Sequence, residues 1–185
     1  MTSLIILAIV IAVIGYGVFL FNDLVSKRQL AQEGWSGIDV QLKRRTDLIP
    51  NLMETVKGYM GHERETLEAV VQARAAATAG SNAGPEERAK LEGALSGALG
   101  KLLAIAEAYP DLKANTTFLE FQGALQKVED EVQLARRYYN GATRNLNTAV
   151  ESFPQNVIAG LFKFDKGEYF ELENEADRAV PNVKF

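Results

Sequence analysis

Residues 35–59, WSGIDVQLKRRTDLIPNLMETVKGY, carry the pattern that decides the fold. Apolar residues return at alternating steps of three and four, which is the coiled-coil spacing of a helix face that packs against a partner helix. The stretch therefore predicts a long helix whose seam is apolar except at one arginine. In order, the seam consists of Trp35, Ile38, Leu42, Arg45, Ile49, Leu52, Val56 and Tyr59.

Pro50 interrupts this pattern, because a proline inside a helix removes one backbone hydrogen bond and clashes with the preceding turn, at a cost of about 3 kcal/mol. Either the helix continues through Pro50 with a kink, or a new helix begins there with Thr46 or Asp47 as its N-cap. Since the seam keeps its phase across Pro50, we favour the kinked, continuous helix. The carbonyl of Thr46 then needs another donor, for which the Arg45 guanidinium and water are the candidates. Asp47 and Glu54 are the candidate ion partners of Arg45.

Residues 4–21, LIILAIVIAVIGYGVFLF, precede this helix and contain no charged residue. The run is close to the roughly 20 apolar residues that a helix needs to cross ~30 Å of hydrocarbon. A cleaved signal peptide is the alternative, but no lysine or arginine precedes the run and no A-x-A-like site follows it. We therefore assign residues 1–22 to an uncleaved transmembrane anchor and residues 23–185 to a helical domain.

The cations around the anchor predict its orientation. No lysine or arginine precedes the apolar run, whereas Lys27, Arg28 and the basic residues at 43–45 follow it. Because lysine and arginine are retained on the cytoplasmic side, we expect the N-terminus outside and the rest of the chain in the cytoplasm.

Composition excludes several function classes. The chain has 185 residues, a formal net charge of −4 and no cysteine, which argues against nucleic acid as a partner and against thiolate chemistry. His62 and Glu63 begin like a zinc-binding helix, but Thr66 stands where the second histidine is needed. A single histidine also makes a helical di-iron site or a serine triad untenable. We predict no catalytic, metal or cofactor site and no enzyme activity.

The remaining sequence predicts further helices and no strand. The first helix should run from about residue 23 to about residue 78 and end at the AGSNAGP stretch. Pro85 opens a second helix that stops at Tyr109-Pro110, and Asn115 is the N-cap of a third. The third helix has the longest seam: Phe118, Phe121, Leu125, Val128, Val132, Ala135, Tyr139, Ala142, Leu146, Ala149 and Phe153.

The C-terminal thirty residues differ from the helices before them, because aromatic residues are closely spaced there without a helical period. They predict a cap on the bundle, with short helices over NVIAGLF and around residues 171–178. The expected fold is therefore all-α: an N-terminal transmembrane helix followed by an antiparallel bundle of three long helices, plus short C-terminal ones.

Ala89, Gly93 and Gly97 form a row of small residues at a spacing of four in the second helix. Such a row lets another backbone approach closely, although each glycine costs up to ~1 kcal/mol relative to alanine. Packing inside the bundle is the simpler explanation, and an interface between copies of the chain is the alternative.

Five stretches resemble the bacterial LemA family, namely residues 35–63, LLAIAEAYPDLKAN (102–115), ARRYYN (135–140), FPQNVIAGLF (153–162) and the tail PNVKF. Where the family usually has NAW, this chain has EGW. The resemblance implies a membrane-anchored helical bundle with an extracytoplasmic N-terminus and no attributed catalytic residues. Some relatives are associated with internal membrane compartments and their formation. The motif positions are candidate interaction residues: Arg44, Arg45, Asp47, Pro50 and Asn51 on the first helix, and Tyr109, Pro110, Asp111 and Lys113 at the second turn.

These observations favour a membrane-anchored scaffold of the bacterial inner membrane, which associates with itself or docks another membrane protein. Membrane shaping by many copies is a second hypothesis. An adaptor for a membrane protease or a signalling enzyme is a third. The expected partners are the lipid bilayer, further copies of the chain and a membrane protein, with no cofactor.

Overall fold

A computed structural model describes residues 1–171. Its helices are α1 Thr2–Lys57, α2 Arg64–Ala79, α3 Pro85–Ala106, α4 Pro110–Lys113, α5 Thr116–Glu151 and α6 Gln155–Leu161, with a 3₁₀ turn at Gly80–Asn82. No strand occurs in these residues, so the all-α prediction is confirmed. The tail PNVKF and the short helix predicted around 171–178, past its first residue, lie outside the described residues.

The chain forms two compact units, described separately below. The first unit comprises residues 1–37 and 135–169, and the described part of the second comprises residues 38–134, Phe170 and Glu171. Helices α1 and α5 contribute residues to both units.

Helix α1 continues through Pro50, as its uninterrupted seam predicts. It ends at Lys57, however, and the single helix expected from about 23 to 78 is wrong at this point. Residues 58–63 form a turn in which the amides of Tyr59 and Met60 both bond to the carbonyl of Val56. Gly58 and Gly61 weaken helix propensity here, and burial of Met60 anchors the turn.

The second unit is built from four helical segments that alternate in direction. Thr46 in α1 contacts Arg74 in α2, whereas Asp39 and Arg45 contact Arg88 and Glu92 in α3. Contacts between α1 and α5 run from Arg45 with Glu129 to Tyr59 with Asn115. Helix α3 therefore runs in the same direction as α1, and α2 and α5 run in the opposite direction. This is the up-down order of an antiparallel bundle.

Buried apolar side chains from all four segments form the core of the second unit. The seam of α1 supplies Ile49, Leu52 and Val56, each with no exposed area. Burial of apolar area is the main source of stabilisation in such a core. The rest of the core comprises Met53, Met60, Leu67, Val70, Ala77, Leu95, Leu99, Leu102, Ala106, Leu112, Phe118 and Leu125.

The first unit pairs α1 with α5 in opposite directions, since Leu24 packs with Ala149 and Trp35 lies against Tyr139. The two helices approach closely at Gly34, because a Cβ added there would lie 2.9 Å from the Cα of Tyr139. The Tyr139 hydroxyl donates to the carbonyl of Glu168 at 2.7 Å. Burial raises the pKa of Tyr139 above its ordinary value.

The apolar run at the start of α1 remains exposed within the chain. Of its eighteen residues, only Leu20 is buried. Helix α1 is the one described helix that is long and apolar enough to cross a membrane. An exposed apolar run of this length is what a bilayer contact requires.

Candidate functional site

The second unit contains a cluster of buried charged side chains, which we call the ion cluster: Arg45, Arg88 and Glu92. Their exposed fractions are 2%, 3% and 1%. Charged side chains are almost never buried to this degree unless they are paired. Arg45 enters the cluster from the seam of α1, and the other two come from α3.

Arg45 binds α3 and α5 at the same time. Its Nη1 donates to the Ser96 hydroxyl at 2.8 Å and to Glu129 Oε2 at 3.0 Å. Its Nη2 donates to the carbonyl oxygen of Glu92 at 3.1 Å and also to the Glu92 carboxylate. The expected pairing of Arg45 with Asp47 or Glu54 is therefore wrong, because both acids project from α1 into solvent while Arg45 faces the core.

Arg88 completes the cluster from one turn earlier in α3. Its Nε lies 3.1 Å from Glu92 Oε1, and its Nη2 lies 3.5 Å from Asp39 Oδ1. Two guanidinium groups thus share one fully buried carboxylate, with Asp39 and Glu129 at the rim. Arg88 Nη1 and Arg45 Nε are buried without a hydrogen-bond partner, so the cluster is charge-paired but its donors are not all satisfied.

Sequence reasoning identified Arg45 as part of a seam but missed Arg88 and Glu92. Going backwards from Ala106, the buried face of α3 passes through Leu102, Leu99 and Leu95. The same alternation of four and three leads to Glu92 and Arg88, which are also buried. Two charged residues in phase with an apolar seam were the signal that could have located the cluster.

The chemistry of this cluster is pairing between helices. A cavity of about 340 Å³ adjoins it, and its lining mixes polar side chains such as Arg45, Ser96 and Glu129 with leucines. Ser96 accepts from an arginine, which cannot act as a base at neutral pH. No group of three or more metal-ligating side chains occurs in the part of the chain that the structure describes. Buried ion pairs of this kind add little net stability, because the cost of desolvating the charges offsets their attraction.

The carbonyl that Pro50 leaves without its helical partner accepts from a second arginine, which is neither of the two candidate donors, Arg45 and water. Arg74 Nε in α2 donates to the Thr46 carbonyl oxygen at 2.9 Å. Arg45, one of the two candidate donors, is engaged by α3 and α5 instead. Pro50 therefore frees an acceptor on α1 that α2 uses as a docking point.

We expect Arg74→Met to lower the free energy of unfolding by about 2 kcal/mol, because the Thr46 carbonyl is then buried without a donor. In a Pro50→Ala background the same change should cost much less, since the new amide at position 50 can donate to Thr46. Denaturant unfolding of the four proteins measures this coupling. The exposed Arg64 in α2, changed to Met, is the matched control. Equal losses from Arg74→Met in both backgrounds would contradict the assignment.

The second set of motif residues lies at the turns of the second unit. The Tyr109 hydroxyl donates to the Glu63 carboxylate, which holds the pKa of Glu63 below its ordinary value and raises the pKa of Tyr109. Asn115 caps α5 as predicted, because its Oδ1 accepts from the amide of Phe118 at 3.0 Å. Its Nδ2 also donates to the Tyr59 hydroxyl at 3.0 Å. The turn before α5 is thus bonded to the turn after α1.

The other motif residues face solvent. Arg44, Asp47, Pro50 and Asn51 are exposed on α1. Pro110 and Asp111 are exposed in the first turn of α4, and Lys113 pairs with Glu107. In the row of small residues, Ala89 is buried but Gly93 and Gly97 are exposed. A Cβ at Gly97 would meet nothing within 4 Å.

Fold and cluster together define a membrane-associated helical protein, with an apolar helix for the bilayer and a bundle whose helices are linked by buried charges. Residues 34–185 match the LemA family. The chain belongs to the LemA family.

Three curated relatives are similar over most of their length. Magnetosome protein MamQ 2 of Paramagnetospirillum magneticum is 24% identical over 195 residues, covering 92% of this chain and 72% of that protein. Protein LemA of Metamycoplasma hominis is 29% identical over 151 residues, covering 77% and 68%. Magnetosome protein MamQ of Magnetospirillum gryphiswaldense is 23% identical over 184 residues, covering 86% and 68%.

Proposed function

We propose that this protein is a membrane-anchored, non-enzymatic scaffold that associates with further copies of itself. Residues 1–22 form the anchor, residues 23–185 form the interacting body, and the positive-inside rule places that body in the cytoplasm. The observation that carries the proposal is the contrast between the groups that the chain buries and those that it leaves exposed. The buried charges pair helices internally, whereas an apolar run and a glycine-bearing helix face remain exposed.

The exposed face of α3 is the proposed contact between copies. It carries Gly93, Gly97 and Gly100 inside a regular helix. Each glycine destabilises the helix by up to ~1 kcal/mol relative to alanine. Neither Gly97 nor Gly100 is required by packing within the chain, since a Cβ at either position would meet nothing within 4 Å. Close approach of a second backbone accounts for small residues at these positions.

We expect Gly97→Ala to stabilise the individual chain by up to ~1 kcal/mol while weakening its association. Cross-linking in native membranes and sedimentation of the detergent-solubilised protein measure association, and thermal unfolding measures stability. Gly123→Ala in α5 is the matched control, because Gly123 is also exposed, helical and free of neighbours within 4 Å. A wild-type protein that is strictly monomeric and partner-free at membrane concentrations would overturn the proposal.

Membrane shaping is the second candidate, and the similarity to two proteins named as magnetosome proteins favours it. The two candidates share self-association but differ in what it does to lipid. Wild-type protein reconstituted in vesicles would curve or tubulate them if it shapes membranes. Vesicles that stay unaltered around an associated protein would favour the scaffold.

A further inference from the structure

Four apolar side chains of the family stretch FPQNVIAGLF are unexpectedly exposed, and we call them the α6 patch. Their exposed fractions are 83% for Phe153, 60% for Val157, 71% for Leu161 and 53% for Phe162. The third-helix seam predicted Phe153 as a core residue, and this is wrong because α5 ends before it, at Glu151. Contiguous apolar surface of this kind marks an interaction site.

The patch lies on the outer face of α6 and at its two ends. Val157 and Leu161 are spaced by four residues and share one side of α6, whereas Phe153 and Phe162 flank the helix at its two ends. Ala159 is 1% exposed and packs with Leu24 and Phe164 in the core of the first unit. Helix α6 is therefore apolar on both its buried and its exposed side. Contact with water does not account for apolar residues on the exposed side.

Helix α6 packs against the last turns of the apolar run in α1. The Ile158 Cδ1 atom lies 3.9 Å from the position that a Cβ on Gly17 would occupy. The Phe21 ring meets the Phe162 ring edge-on, with centroids 4.8 Å apart. Since Gly17 precedes Phe21 by four residues, α6 reaches about 6 Å into the depth of the run, at 1.5 Å per residue.

Polar groups begin immediately beyond this point. Asp23 accepts from Gln155 at the start of α6 and from Lys27 one turn later in α1. Arg28 lies over the Phe164 ring, 4.8 Å from its centroid. Lys163 follows the patch directly in the chain. In the first unit, apolar side chains are therefore followed directly by cationic ones. This order matches the boundary between acyl chains and headgroups of a bilayer.

We propose that the α6 patch inserts into the boundary between acyl chains and headgroups, as a second membrane contact beside the anchor. The occupant is phospholipid, because the patch is continuous with the exposed apolar run that contacts the bilayer. Interfacial helices bury their apolar faces about 5–10 Å into this boundary, which matches the depth at which α6 meets α1. Arg28 and Lys163 favour anionic headgroups. This inference rests on the membrane anchoring in the proposed function.

Single cysteines can test this contact without interference, because the chain contains no cysteine of its own. Val157→Cys and Leu161→Cys, each carrying an environment-sensitive fluorophore, place the probe on the patch at exposed positions. The full chain is reconstituted in vesicles of phosphatidylcholine and phosphatidylglycerol. Quenching is then compared between brominated acyl chains and aqueous iodide. Val71→Cys, half-exposed in α2, is the matched control, and Ile11→Cys reports on the anchor.

The inference expects blue-shifted emission, lipid quenching and loss of iodide quenching at positions 157 and 161, with the opposite behaviour at position 71. Iodide quenching at 157 and 161 equal to that at 71, with lipid quenching at 11, would overturn the α6 contact while leaving the anchor intact. Shielding from iodide without lipid quenching would also overturn it, because protein would then cover the patch. Iodide quenching at position 11 would overturn the anchoring itself.

Discussion

Replacing Glu92 with glutamine should lower the free energy of unfolding by about 3–5 kcal/mol, the usual cost of leaving buried charge without its partner. The change keeps the shape of the side chain but removes the negative charge of the buried carboxylate that Arg45 and Arg88 share. Denaturant unfolding of the detergent-solubilised chain, followed by circular dichroism, measures the loss. Glu54→Gln, at an exposed position of α1, is the matched control and should change little.

Replacing the whole ion cluster separates pairing from packing. Changing Arg45 and Arg88 to methionine and Glu92 to leucine removes both signs of charge together. Such apolar replacements are often neutral, or stabilising by about 1–4 kcal/mol. The triple variant should therefore be far more stable than Glu92→Gln. A loss from Glu92→Gln no larger than that from Glu54→Gln would show that the two guanidinium groups are solvated.

Gly34→Leu should lower the free energy of unfolding by about 3 kcal/mol or more, at the upper end for inserting volume into a packed interface. A Cβ there would lie 2.9 Å from the Tyr139 Cα and 3.1 Å from the Tyr138 ring. Backbone cannot move aside as the end of a flexible side chain can, so the helices of the first unit must separate. Thermal unfolding of the solubilised chain measures the effect.

Gly37→Leu is the matched control for this substitution. Gly37 lies three residues further along α1, is exposed, and has nothing within 4 Å of its missing Cβ. Leucine there should raise the free energy of unfolding by up to ~1 kcal/mol, because it is the better helix former. Equal effects at Gly34 and Gly37 would mean that α1 and α5 do not approach closely at Gly34.

Periodicity identified the helices but not where the first of them ends. The three-four alternation of the α1 seam continues in phase through Thr66, Val70 and Ala77, all of them buried in α2. A pattern that depends on residue spacing has the same form whether the chain runs on or turns back. Gly58 and Gly61 were the local sign of the turn, and burial of Met60 decided it.

Partner choice was the other feature that spacing could not supply. The sequence placed Arg45 on a seam, and it offered as ion partners only the nearby acids of the same helix. Its carboxylate partners, Glu92 and Glu129, lie 47 and 84 residues away in the chain. Similarly, the acceptor freed by Pro50 was foreseen from covalent geometry, but its donor, Arg74, comes from another helix. Such pairs depend on which helices become neighbours, which local rules do not encode.

The sequence by itself determined the all-α class, the exposed apolar run, the passage of α1 through Pro50 and the cap at Asn115, because each follows from interactions within a few residues. Only the tertiary structure decided that α2 turns back, that Arg45 and Arg88 share Glu92, and that the outer face of α6 stays uncovered beside Gly17. These features arise where distant segments compete for the same space and charge. The interactions that stabilise these features form only when the helices pack against one another.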